Sequence, residues 1–82
     1  MGEKIVRKYV YRVEIDTMTD AKRLVNVATG LKGQITLQSG NKFAVNAKSL
    51  LGVLLAKKLN WDDLRIVMDN DYYLEFRRFI RE

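Results

Sequence analysis

Histidine, cysteine and proline are all missing from these 82 residues. Without histidine there is no side chain whose ordinary pKa lies near neutrality, so imidazole acid-base catalysis and phosphohistidine chemistry are excluded. Without cysteine there are no disulfides, thiolate nucleophiles or zinc-thiolate sites, which fits a reducing cytoplasmic setting. With both types absent, no metal and no cofactor is expected. The lack of proline, of repeats and of low-complexity runs leaves nowhere for a linker, so residues 1–82 read as a single domain. Nor does any apolar stretch approach the ~18 residues that span a bilayer. The opening Met1-Gly2-Glu3-Lys4 lacks the apolar segment of a secretory leader, so no membrane segment is expected.

What is present is the composition of a folding chain, with 48% hydrophobic and 30% charged residues. The net charge of +5 comes from 15 Lys and Arg against 10 Asp and Glu. Lys8, Arg12, Lys22, Lys42, Lys57, Arg65 and Arg78 are interleaved with apolar positions, the pattern of solvated faces rather than of one concentrated basic stripe.

Hydrophobic period sets the element order. Tyr9, Tyr11, Val13 and Ile15 alternate with Val10, Arg12 and Glu14, so a strand is expected within Ile5 to Ile15. Asp16-Thr17-Met18-Thr19-Asp20 offers helix-capping oxygens, and Ala21, Leu24, Val25 and Ala28 follow at helical spacing, predicting a helix from about Thr19 to Ala28. Gly30 and Gly33 suit a left-handed cap and a loop. Ile35 and Leu37 alternate, Gln38-Ser39-Gly40-Asn41 turns, and Phe43 and Val45 alternate again, which is a hairpin. Ser49 then heads an apolar run to Lys58, with Lys57 and Lys58 near the negative end of the helix dipole. Leu64, Ile66 and Met68 read as a fourth strand. Tyr72, Tyr73, Phe76, Phe79 and Ile80 read as the apolar side of a third helix. The order β-α-β-β-α-β-α predicts an α+β fold in which helices cover one face of a four-stranded, mainly antiparallel sheet, burying Val13, Leu24, Ile35, Val45, Ile66 and Phe76.

The segment Val45-Asn46-Ala47-Lys48-Ser49-Leu50-Leu51-Gly52-Val53 resembles the region around the regulatory serine of HPr, the histidine-containing phosphocarrier of the bacterial sugar phosphotransferase system. The resemblance extends, at low identity, from about Tyr9 to Ile80, and it implies the open-faced β-sandwich of that family. It also places the family's phosphoacceptor histidine on Thr17, its arginine on Thr19 and its proline on Asp20, so all three differ here. A threonine hydroxyl forms a stable phosphate ester where imidazole forms a labile phosphoramidate, so phosphorelay is expected to be lost and Thr17 to act as a helix cap. Asp16 and Asp20 lack the paired carboxylates and magnesium-site pattern of an acyl-phosphate enzyme.

The same resemblance makes Ser49 a candidate kinase site, although helix capping alone also selects serine there. It further implies that this helix docks partners through apolar residues. Leu50, Leu51, Val53, Leu54 and Leu55 are too many for one narrow buried stripe. Leu51 and Leu54, with Leu50, are the expected contacts, rimmed by Lys22, Lys48 and Lys57. The partner expected is a protein with an acidic-rimmed apolar groove: a phosphotransferase component, a transcription regulator or a serine kinase. The competing class is a small basic nucleic-acid-binding domain, for which Gly30-Leu31-Lys32-Gly33 matches the KH loop spacing. That loop joins two helices, whereas a strand pattern follows here, and no RRM-type aromatic motif is present. Catalysis lacks residues, since neither Ser39 nor Ser49 sits in a nucleophile-elbow pattern. The chain is expected to be a non-enzymatic, cytoplasmic binding protein.

Overall fold

The computed structural model describes residues 8–81. Its elements follow the order β1 (Tyr9–Arg12), α1 (Met18–Thr29), β2 (Ile35–Ser39), β3 (Phe43–Asn46), α2 (Leu50–Lys58), β4 (Leu64–Met68) and α3 (Tyr73–Phe76). The fold is the α+β arrangement expected, with an open antiparallel sheet ordered β1-β4-β2-β3. Only β2 and β3 are joined by a hairpin, so the two central strands are brought together across the whole middle of the chain.

Register explains which side chains go inward. Tyr11 pairs with Ile66, Ile66 with Leu37 and Leu37 with Val45, so these four share one row on the helix-covered face. The next residues along each strand form the row Arg12, Arg65, Gln38 and Ala44 on the opposite face. A one-residue slip would exchange the two rows, and the cost of burying Arg12, Arg65 and Gln38 in place of Tyr11, Ile66 and Leu37 sets the register firmly. Val13, Leu24, Ile35, Ile66 and Phe76 are buried as expected, while Val45 near the sheet edge is half-buried.

Two boundaries differ from the sequence pattern for identifiable reasons. The helical spacing through Ile80 predicts a long third helix, yet α3 ends after one turn. The chain there pairs with β1 instead: Ile80 bridges Val13, the Glu14 N–H donates to the Phe79 carbonyl at 2.8 Å, and the Arg81 N–H donates to the Arg12 carbonyl at 2.9 Å. Those bonds close part of an edge that would otherwise stay unpaired. At the start, Tyr9 to Arg12 is strand and Val13 makes the bridge, while the expected residues Ile5 to Arg7 lie outside the described residues.

Gly30 caps α1 in right-handed geometry at φ −83°, so the left-handed turn falls on Gly33 at φ +89°. A Cβ on Gly33 would sit 3.1 Å from the Asn70 amide nitrogen, so backbone sign and space both call for glycine there. Among the described residues Ser39 is the one buried polar side chain, and its hydroxyl donates to the Asp62 carbonyl at 2.6 Å. Asp69 accepts from the Lys8 ammonium and from the Gln34 N–H, which together hold its carboxyl below the usual carboxylate range. No helix among the described residues is long and apolar enough to cross a membrane.

Candidate docking surface on the second helix

The segment leading into α2 is built from local hydrogen bonds. The Asn46 side chain accepts from the Lys48 N–H at 2.9 Å, and the Asn46 carbonyl accepts from the Ser49 N–H at 2.9 Å. Ser49 is then extended, at φ −91° and ψ 108°, and its Oγ accepts from the Gly52 N–H at 3.2 Å, which is the geometry of an N-cap. Gly52 lets the helix lie close to β3, because a Cβ there would stand 3.2 Å from Val45 Cβ. At the other end the Asn60 N–H donates to Lys57 and the Trp61 N–H to Ala56, with Asn60 left-handed at φ 55°. This is a Schellman ending in which asparagine takes the position usually given to glycine.

Between these caps α2 presents two sides. Val53 and Ala56 are buried against the sheet and α1. Leu51, Leu55 and Leu59 recur at four-residue steps on the outer side and are 78%, 47% and 60% exposed, with Leu50 also exposed beside them. Leu54 is half-buried and packs against the core. The outward leucines therefore include Leu55 and Leu59, two residues that sequence reasoning did not select, and Leu54 contributes only part of its surface. The signal was present in the spacing: 51, 55 and 59 form one line on a helix whose buried positions are 53 and 56.

Helix α1 lies antiparallel beside α2. Past the end of α1, the Leu31 carbonyl accepts from the Lys48 ammonium at 2.7 Å, just before α2 begins. At the opposite end, Asp16 before α1 and Trp61 after α2 line the same hollow, together with Asp62 and Asp63. Ser49, Lys48, Leu50 and Leu51 are thus grouped at one end of the helix pair, and Thr17 stands at the other. Lys48 is half-buried and engaged with Leu31, which makes it a tether between the helices rather than a free rim charge. Lys57 is half-buried, whereas Lys22 on α1 and Lys58 on α2 are exposed. Met18, in the first turn of α1, adds a further exposed apolar side chain at 43%.

Thr17 is an N-cap. It is extended, at φ −132° and ψ 165°, and its Oγ1 accepts from the Asp20 N–H at 3.0 Å. Carboxylates surround it along the chain at Glu14, Asp16 and Asp20, the first two 3.3 and 3.8 Å from Arg81 and the third 3.7 Å from Arg23. Among the described residues no group of three or more carboxylates is placed to hold a metal ion.

Ser49 sits where a modification would alter docking without dismantling the fold. Ser49→Ala is expected to cost ~0.5–2 kcal/mol through the lost cap, read as a lower urea midpoint. Ser49→Asp retains a capping oxygen and gains from the helix dipole, so its melting temperature is expected to stay within a few degrees of the parent's. Its charge beside Leu50 and Leu51 should change partner affinity, and unchanged binding would make Ser49 a cap and nothing more.

Comparison with protein-family models, with curated proteins and with solved structures finds no match for this chain.

Proposed function

We propose that the chain is an HPr-like adaptor of the bacterial sugar phosphotransferase system, cytoplasmic, that acts by binding protein partners and does not relay phosphoryl groups. The observation that carries this reading is the line Leu51, Leu55 and Leu59 along α2 and its C-cap, left open on the outer side of the helix with its Leu59 end toward the start of α1. Large aliphatic side chains in water at regular spacing leave apolar area uncovered, and burial against a partner recovers ~25 cal/mol for each Å² removed from water. The exposed Lys58, three residues from Leu55 on the same helix, and the exposed Lys22 on α1 are cations that suit a groove with an acidic rim. The Val45 to Val53 segment and the α+β element order support assigning the partners to that system: its enzymes, a sugar-responsive transcription regulator or a serine kinase.

Loss of relay follows from chemistry at Thr17. A transferable phosphoryl group needs a nitrogen or acyl-type leaving group, and a threonine ester provides neither. Incubation with the general kinase of the system and phosphoenolpyruvate is expected to leave the protein unlabelled in intact-mass spectra taken at neutral pH. An acid-labile phosphoryl adduct on any residue would overturn the non-relay reading.

A further inference from the structure

The helix-free face of the sheet carries an arrangement that the α2 surface does not explain. Arg12 of β1 and Arg65 of β4 are direct cross-strand partners, so two arginine side chains leave the sheet from adjacent positions on the face opposite the core row. Like charges directly opposite one another in an antiparallel pair are destabilising. Arg65 has partial compensation from Asp63 at 3.4 Å, both side chains being roughly half exposed. Arg12 makes no ion pair among the described residues. The next row on the same face runs Val10, Val67, Thr36 and Asn46, with Val10 49% exposed. An open hollow of about 350 Å³ lies at the β2–β3 end, lined in part by Thr36, Ala44 and Asn46.

We propose that this face binds an extended acidic segment of a protein partner, with Arg12 and Arg65 receiving a carboxylate and Val10 and Val67 receiving an apolar side chain two residues along. The spacing carries the assignment. Arg12 and Val10 are two residues apart on one strand, ~6.6–6.8 Å, which is the step between alternate side chains of an extended chain laid along it. Guanidinium forks take carboxylates in two-pronged geometry and give up hydration more readily than ammonium groups. Bound anion between the arginines removes their mutual repulsion, so charge complementarity selects the occupant. Among the described residues the paired strand positions on this face carry no aromatic side chain on which a base could stack, which favours a peptide over single-stranded nucleic acid. The proposal is independent of the α2 reading.

The test is a titration of the isotope-labelled full chain with a short capped peptide in which glutamate and isoleucine occupy alternate odd positions with threonine between them. Amide shifts are expected on β1 and β4 residues of the open face, with affinity falling as salt rises. Arg12→Gln with Arg65→Gln should weaken binding roughly tenfold or more while leaving the melting temperature no lower than the parent's. Leu51→Ser with Leu55→Ser should bind the peptide as the parent does. Absence of binding, shifts confined to α2, or equal binding of a peptide with glutamine for glutamate would overturn the proposal. Tighter binding of oligo-uridine or inorganic phosphate at the same residues, or self-association through this face, would overturn it equally.

Discussion

Phe76→Ala is expected to lower stability by about 3–5 kcal/mol, the largest effect of any single side chain considered. Phe76 is the fully buried side chain of a helix of only four residues, in which Tyr73 adds a partly buried ring against the core and Tyr11. Helical propensity does not sustain one isolated turn. Loss of the ring removes apolar contact with the core and loosens the segment that carries Phe79 and Ile80 against β1. Domains of this size have stabilities of ~5–10 kcal/mol, so the variant should be largely unfolded at modest urea. Leu74→Ala, two residues earlier on the same turn, removes a side chain that is 74% exposed and should change stability by no more than ~0.5 kcal/mol. Urea denaturation followed by circular dichroism distinguishes the two. A cost below ~1 kcal/mol for Phe76→Ala would mean that α3 does not close the core.

The second large effect concerns binding rather than folding. Leu51→Ser with Leu55→Ser removes two of the three leucines of the exposed line. Each leucine fully buried at an interface contributes ~1.5–3 kcal/mol, so the pair should lose on the order of a hundredfold or more in partner affinity. Stability should change little, because both side chains already face water in the free protein. Leu54→Ser is the informative contrast: its half-buried side chain packs against the core, so a serine there should lower the melting temperature. If the double variant unfolds as readily as Leu54→Ser does, the exposed leucines support the fold and are not a docking surface.

The fold was legible wherever period and burial agree. Ile35 and Leu37, or Leu64, Ile66 and Met68, alternate because one sheet face is covered and the other open, and the structure places Ile35, Leu37, Ile66 and Met68 inside. Legibility failed at Phe79 and Ile80, whose spacing after Phe76 is helical although their place is set by pairing with Val13 and Glu14, partners more than sixty residues distant. A one-dimensional pattern contains no signal for such a contact. The candidate surface was half legible. An excess of leucine on a nine-residue helix announces that some must be exposed, but which ones depends on where α1 and β3 lie, and Gly52 fixes that by admitting Val45. Lys48 shows the same dependence on tertiary placement: its ammonium reaches the Leu31 carbonyl because the end of α1 lies beside the start of α2.

Adaptor binding through α2 is tested most directly by amide-shift mapping of the isotope-labelled protein against purified phosphotransferase enzymes, the sugar-responsive transcription regulator and the serine kinase. Shifts are expected on Leu50, Leu51, Leu55 and Leu59 and on the first turns of α1 around Met18 and Lys22, saturating with at least one partner and lost in the Leu51→Ser, Leu55→Ser variant. Saturable binding that leaves α2 unshifted, or no binding to any of these proteins at high micromolar concentration, would contradict it.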